Sequence, residues 1–538
     1  MTSPALRDPQ RLLDFQTHGQ DIPALLAHWA ERKPDHPALV WSPREGDGRR
    51  WTYSELLTDV RRVSAGLAAK GVTKGDKVLI HSENCPEMVL TWLACAHLGA
   101  VGVTTNTKSV GAEMTYFADH TGAVAAVTQP QYAAMVAAAA PGLQWVAVTD
   151  DNSGGAPTDE QRTEAKDFAT FTSLLGDADE AVSRDPEPML PFGIMFTSGT
   201  TSLPKAVVHT HANAVWASRT GSRNIDLGTD DTYVIFLPFF HVNAQSWSFF
   251  AVLGVGATAV LMPKWSQSRF WPVVVEHGVT HTSVMPFVMG ALGNPDRPRE
   301  HSLRAGVFGL IMPDLDRMFG LGIYAAYGMT ETVTHAITAK PEELLPTRSM
   351  GHVTPGYEIA VVDKDTGELC GAGETGELWL RGTRGIQLFL EYYRNDEANT
   401  KAFEDGWFKT GDMVKMGAGG NVFYQERDKD LLKVGGENVS AKEVEDLIVA
   451  HPAVAQVAVV GKQHDFLDEV VVAFVIPAPG DHDHAVVELE IFETCRDNLA
   501  KFKVPRAVYF VDEFPLGTLD KILKNRLREM ADERPSVD

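Results

Sequence analysis

A chain of 538 residues is too long for one hydrophobic core, so two or more domains are expected. With 44% hydrophobic and 22% charged residues it lacks the apolar depletion of a disordered chain. Its formal net charge of -23 excludes a general nucleic-acid or anionic-membrane surface, which would need clustered lysine and arginine, so any anionic ligand must be held locally.

The first residues, "MTSPALRDPQRLLDF", show no basic flank followed by an apolar core, and no secretory signal is expected there. Short apolar runs ("KVLI", "AVAAVT", "WVAVT", "GIMF", "TYVIFL", "TAVLM") alternate with stretches such as "PEMVLTWLACAHLGA". That rhythm predicts βα crossovers and parallel sheet buried on both faces. Residues 150–190, rich in Asp, Glu, Gly and Pro, read as an exposed excursion between lobes at 1–190 and 191–345. From Thr232 to Pro263 no residue is charged, but Pro238, His241, Asn243, Gln245, Gly254 and Gly256 interrupt the run. The uninterrupted apolar stretch is too short to span a bilayer, and the segment predicts strand, helix and strand. Residues 346–427 carry Gly-punctuated alternation, "GYEIAVVDKDTGE" and "GETGELWLRG", as in a small antiparallel barrel or sheet. The tail, 431–538, has its own helix ("AKEVEDLIVAH"), strands ("AQVAVVG", "EVVVAFVIP") and basic end ("DKILKNRLRE"), enough for a small α+β domain. Cys85, Cys95, Cys370 and Cys495 form no C-x-x-C pair and have no histidine at zinc spacing, which suits a reducing cytoplasm.

The densest polar signal is "FTSGTTSLPKAVVHTH", from Phe196 to His211. Against G-x-x-x-x-G-K-[ST], Gly199 and Lys205 are correctly separated, but Pro204 replaces the second glycine and Ala206 the hydroxyl, so this is not a Walker A loop. Thr197, Ser198, Thr200, Thr201 and Ser202 nevertheless offer hydroxyl and backbone donors around a tight turn, with Lys205 as a point charge: an anion site, or else a polar turn after a strand.

"TSGTTSLPK" resembles the phosphate loop of the adenylate-forming superfamily, in its acyl-CoA synthetase (acid:CoA ligase) branch. Four further stretches resemble that family's signatures in order: "YGMTE" (327–331), "TGD" (410–412), "ERDKDLLKVGGENVSAKEVE" and "KVPRAVYFVDEFPLGTLDKILK". The resemblance implies an α/β fold with a large N-terminal domain, 1–427, of stacked mostly parallel sheets with helices and a β-rich subdomain at 346–427. It implies a hinge at 428–430 and a mobile α+β catalytic lid at 431–538. ATP, Mg2+ and coenzyme A are the implied cofactors. Thr197, Ser198, Gly199, Thr200, Thr201 and Lys205 would hold phosphates, Thr330 the α-phosphate and Glu331 the metal, while Tyr327 would pack on adenine. Asp412, an acceptor when ionised, would take the ribose hydroxyls, with Arg427 as a second ribose or phosphate contact. Lys521 would bridge carboxylate and phosphate in adenylation. Rotation about Lys429 would then bring Lys433 to Ser440 to the acyl-adenylate, with Gly435 and Gly436 leaving room for pantetheine. The sequence departs from the family at Ser202 and Asp520, where glycine is usual, and at "FGLIMPDLDRMFGLGIYAAYG", which is shorter and bulkier than in relatives.

His241 stands where amino-acid-activating relatives carry an aspartate, so an amino acid is not the expected substrate, and His241 is either a pocket gate or a core histidine. Val242, Trp247, Phe249, Phe250, Met285, Phe287 and Met289 make a hydrophobic carboxylic acid the expected guest. The expected activity is acyl-AMP formation followed by transfer to coenzyme A. The alternatives are loading of a carrier-protein phosphopantetheine and a non-catalytic nucleotide- or acyl-binding scaffold. A homodimer is left open, and the terminal "PSVD" lacks the Ser-Lys-Leu peroxisomal signal.

Overall fold

The computed structural model describes residues 13, 16–109, 111–197, 204–343, 345–427, 431–434, 437–464, 467–499, 501–517 and 522–535. It divides into two units: Met1–Glu358 with Arg381–Phe408, and Ile359–Leu380 with Lys409–Asp538.

The first unit holds an eight-stranded and a nine-stranded sheet. In the first, Lys77–His81 lies between Val101–Thr104 and Ala125–Thr128, all parallel, and Val101–Thr104 pairs parallel with Pro191–Thr197. These strands are buried almost throughout, as near-continuous apolar runs require when helices cover both faces. The chain then reverses: Pro191–Thr197 pairs antiparallel with Lys205–Thr210, with Thr197 opposite Lys205. The second sheet has Thr232–Ile235, Thr258–Leu261, His281–Ser283, Ala305–Phe308 and Gly322–Tyr327 as its parallel centre.

The lobes expected at 1–190 and 191–345 do not correspond to these sheets. Pro191–Thr197 and Lys205–Thr210 join the strands that precede them, and Pro37–Trp41 crosses to the other sheet, pairing parallel with Thr258–Leu261. Periodicity marks a buried strand but carries no information about its partner.

Between the sheets lies the helix Pro86–Leu98, begun by Pro86 at its first position and ended by Gly99 in the left-handed region at φ 82. It is apolar all round and buried on nearly every side. Trp92 at its middle meets Phe192 at 5.6 Å from one sheet, and Phe239 and Phe250 at 5.3 and 4.9 Å from the segment following Thr232–Ile235 of the other. Asn84 adds a polar clasp, donating to the Leu237 and Met262 carbonyls (2.9 and 3.1 Å) and accepting from the Phe239 N–H (2.6 Å). Trp92→Ala is expected to cost about 3–5 kcal/mol, read as a melting temperature lowered by at least several degrees. An unchanged melting temperature would show that the sheets do not depend on this contact.

In the second unit, Thr375–Arg381, Trp407–Met416 and Val422–Arg427 run within a five-stranded sheet. The C-terminal sheet is also five-stranded, with Val454–His464 beside Asp468–Pro477 and Ala507–Phe510 parallel to the latter. Its alternation serves two cores. Val459, Val471, Ala473 and Val475 pack with the helices Ala441–Ile448 and His484–Asn498, while Ala458, Val460, Val472 and Phe474 pack with Leu527 and Ala531 of the helix Lys524–Asp532. Lys462, nearly buried, donates to the Ala531 and Arg534 carbonyls and so caps that last helix. No helix among the described residues is long and apolar enough to cross a membrane.

Candidate active site

Lys205 opens the strand Lys205–Thr210 directly after the hydroxyl-rich loop. Ser198, Gly199, Thr200 and Thr201 lie outside the described residues; Thr197 is half-buried at the end of its strand. The Lys205 ammonium stands 4.7 Å from the centre of the Tyr392 ring, a cation–π contact. Tyr392 is held there because the strand Glu391–Tyr392 pairs antiparallel with Val207 and Val208. Asn399 clamps its backbone on both sides, accepting from its N–H and donating to its carbonyl, each at 2.8 Å.

The Tyr392 hydroxyl donates to Oε1 of Glu331 at 2.9 Å. Glu331 is only 5% exposed and Tyr392 4%, so the bond is made in a low-dielectric surround. The Phe389 N–H holds the Glu331 carbonyl at 2.9 Å, and Nε2 of His209 donates to the Thr330 carbonyl at 2.8 Å. Lys205, Tyr392, Glu331 and Thr330, drawn from three distant stretches, thus form one constellation. The helix His211–Asn224 braces it: Thr210 Oγ1 donates to the Gly385 carbonyl at 2.5 Å, and Asn213 to the Ile386 and Leu388 carbonyls at 2.7 and 2.9 Å.

Tyr327 ends the strand Gly322–Tyr327 half-buried, and its carbonyl accepts from the Ala336 N–H at 2.9 Å, closing the loop that carries Thr330 and Glu331. Gly328 is required there: a Cβ would lie 2.6 Å from the Thr334 carbonyl oxygen and 2.9 Å from Cζ2 of Trp247. After Glu331, Val333 sits in the left-handed region at φ 64.

His241 is half-buried, and its Nδ1 accepts from the Asn243 N–H at 3.3 Å, which places the ring hydrogen on Nε2. Burial pushes its pKa down to about 4. The imidazole can therefore lend one N–H but no positive charge near neutrality. The expected pocket walls divide. Phe249 and Phe250 are buried in the aromatic cluster around Trp92, and Val242 is buried too, whereas Trp247, Met285, Phe287 and Met289 keep accessible surface.

In the second unit Asp412 is 3% exposed and lies opposite Arg427 in register. Gly411 before it takes φ 74, and its N–H reaches Oε1 of Glu377 at 2.9 Å, while Thr410 Oγ1 donates to the Leu378 carbonyl at 2.7 Å. Lys433 lies on the strand Leu431–Val434 opposite Asn438. Lys429, Gly435, Gly436 and Lys521 lie outside the described residues.

Tyr392 and His209 were not legible as site residues. "EYYRNDEAN" reads as aromatic surface followed by a helix start, and His209 as one polar residue in an apolar strand. The one usable signal was that Asn395 caps the helix Asp396–Ala402, accepting from the Ala398 N–H at 2.9 Å, which fixes where the preceding strand must stop.

Burial holds His81, His97 and His209 at about 4, like His241, and His335 at about 3, against an ordinary 6.5. The unfolded chain then binds more protons in the interval. Stability is full above about pH 6.5 and falls as pH drops toward 4, by up to about 1.4 kcal/mol per pH unit for each such group. Thermal melting at pH 5 is expected several degrees below that at pH 7.5. A flat profile across that range would contradict neutral burial of these rings.

The model of the AMP-binding enzyme family matches residues 26–393, and that of the AMP-binding enzyme C-terminal domain matches 443–521. The crotonobetaine/carnitine–CoA ligase of Salmonella typhimurium (strain LT2) is 32% identical over 536 residues, 95% of this chain and 99% of that protein. Among solved structures, ATP-bound MatB from Rhodopseudomonas palustris is similar with a TM-score of 0.81 at 27% identity, covering 95% of this chain and 99% of that one. O-succinylbenzoate coenzyme A synthetase (MenE) from Bacillus subtilis, in complex with ATP and magnesium ion, gives 0.79 at 26% identity, covering 94% and 98%.

Proposed function

The chain belongs to the AMP-binding enzyme family, among its ATP-dependent acid:CoA ligases, and from that premise we propose which of its residues carry each step and what kind of acid it takes. A carboxylate oxygen of the acid attacks the α-phosphorus of ATP, pyrophosphate leaves, and an acyl-adenylate forms. The thiolate of coenzyme A then attacks the acyl carbon, and AMP leaves with the bridging oxygen. Both steps build negative charge on oxygens, so positioned donors and cations supply most of the catalysis.

Lys205 and the hydroxyls of 197–201 hold the β- and γ-phosphates, and Thr330 contacts the α-phosphate. The observation that carries this assignment is the Lys205–Tyr392–Glu331 constellation: one cation and one buried carboxylate fixed about a single phenol. That donor set fits Mg2+, which prefers few protein oxygens alongside phosphate. No group of three or more His, Cys, Asp or Glu among the described residues could hold a metal, so the ion is expected to arrive with the nucleotide. Glu331 would hold it, and when bound it neutralises phosphate charge during attack. Tyr327 packs on adenine, Asp412 accepts from the ribose hydroxyls with Arg427 beside it in register, and Lys521 stabilises the adenylation transition state. Lys429 is the hinge that exchanges Lys521 for the segment Lys433 to Ser440 when coenzyme A enters.

The acid is hydrophobic, received near His241, Trp247, Met285, Phe287 and Met289, and the enzyme works in the cytoplasm, in keeping with its free cysteines. Pyrophosphate release is the test, over aliphatic, aromatic and polycyclic acids with and without coenzyme A. Acid-dependent release that coenzyme A accelerates, with thioester as product, is the expected result. Release that depends on no acid would overturn the proposal.

A further inference from the structure

Ten buried side-chain nitrogen and oxygen atoms among the described residues have no hydrogen-bond partner, and five of them belong to four residues of one neighbourhood. They are Oγ of Ser246, Nε1 of Trp247, Oγ1 of Thr334 and both ring nitrogens of His335. The Trp247 and His335 rings meet edge to face, with centroids 4.8 Å apart and 77° between planes. A Cβ on Gly221 would lie 3.5 Å from Oγ1 of Thr334 and 3.8 Å from the Ser246 carbonyl oxygen, so both segments converge on the same point of the helix His211–Asn224.

An unpaired buried donor or acceptor is costly, and native interiors hold few of them. Two departures from regular backbone occur at this place. Ser246 and Trp247 lie on a π-helical stretch, Asn243–Phe249, a rare geometry that recurs at functional sites. Thr334 and His335 follow Val333, whose φ of 64 and ψ of -52 form a γ-turn closed by the Thr334 N–H to the Thr332 carbonyl at 2.6 Å. That turn is strained for a β-branched residue. An irregular helical turn on one segment and a strained turn on the other thus bring the Trp247 and His335 rings together while their polar atoms stay unpaired.

The chemistry of the set is specific. Trp247 Nε1 only donates, His335 held neutral by burial offers one donor and one acceptor, and the hydroxyls do either. With no carboxylate among the four, the set suits a neutral acceptor and not a cation. Trp247 retains accessible surface and touches the Gly328 position of the loop that carries Glu331. We propose that Ser246, Trp247, Thr334 and His335 form a polar subsite for an oxygen (keto, hydroxyl or ether) carried on the otherwise hydrophobic acyl part of the substrate, remote from its carboxylate. The inference rests on the acid:CoA ligase reading and deepens it.

The test uses the full-length enzyme and matched pairs of bulky acids differing only by CH2 against C=O or CHOH. Each pair is assayed for thioester formation and, as non-reactive acyl-sulfamoyl adenosines, for calorimetric binding. The oxygenated member is expected to be favoured by about 10- to 100-fold in kcat/KM and in Kd. Trp247→Phe and His335→Leu are each expected to bring that ratio within about threefold of unity. Where one of these does not fold, Thr334→Val serves in its place. Equal kcat/KM and Kd within every pair, or a preference that survives all three substitutions, would overturn the subsite while leaving the ligase reading intact. A pair in which a trimethylammonium acid outcompetes the oxygenated one would overturn the neutral-acceptor assignment. Failure of every acid to release pyrophosphate would strike the ligase reading, and the subsite with it.

Discussion

Lys521→Ala is expected to lower acid-dependent ATP–pyrophosphate exchange by about 100- to 1,000-fold, the range seen when one preorganised donor to a developing oxyanion is removed. Thioester formation from supplied acyl-adenylate should survive within about threefold, because the proposed role of Lys521 ends when pyrophosphate leaves. The asymmetry is the informative part. A lysine that only stabilised the C-terminal unit would depress both half-reactions together. Asp520 beside Lys521 departs from the usual glycine of the family, so Asp520→Gly is expected to raise exchange, by removing a neighbouring negative charge.

Glu331→Gln carries the second large effect. The amide keeps the shape and can still accept from the Tyr392 hydroxyl now 2.9 Å away, but it loses the charge proposed to hold Mg2+. A fall of about 100-fold or more in kcat/KM for MgATP is expected. Mn2+ binding in the presence of nucleotide, followed by electron paramagnetic resonance, should weaken in parallel. Tyr392→Phe tests positioning apart from ligation. It keeps the ring under Lys205 and removes the hydrogen bond to Glu331, so a loss of about 10-fold in apparent metal affinity is expected, together with a stability cost of about 1–3 kcal/mol for the buried carboxylate oxygen left without its donor. Equal metal affinity in wild type and both variants would contradict the role given to Glu331.

The chain's motifs were local, and they named candidate residues without their neighbours. "YGMTE" marked Tyr327, Thr330 and Glu331 as candidates, and the structure has Tyr327 ending the strand Gly322–Tyr327 with Thr330 and Glu331 in the turn that follows. What could not be read was long-range pairing. Tyr392 reaches Glu331 only because a two-residue strand lies against Val207 and Val208, a contact that no spacing encodes. The strand Pro191–Thr197 was legible through "GIMF", yet it joins the sheet of the strands that precede it, while Pro37–Trp41, which none of the apolar runs read from the sequence marked, crosses to the other sheet. Bulky residues were likewise legible as apolar but not as core or pocket. Phe250 packs on Trp92, while Trp247, three positions earlier, turns away on a π-helical stretch that hydrophobic period alone does not announce. The unpaired atoms of His335 and Thr334 depend on the φ of Val333, which a valine in sequence gives no reason to expect.

The central claim is that a carboxylate is activated by bonding its own oxygen to the α-phosphorus of ATP. An accepted acid labelled with 18O in its carboxyl group, turned over with ATP and coenzyme A, tests it most directly by mass spectrometry of the products. One labelled oxygen in AMP and none in pyrophosphate is the predicted result. Label in inorganic phosphate with ADP formed, or unlabelled AMP beside the thioester, would contradict it.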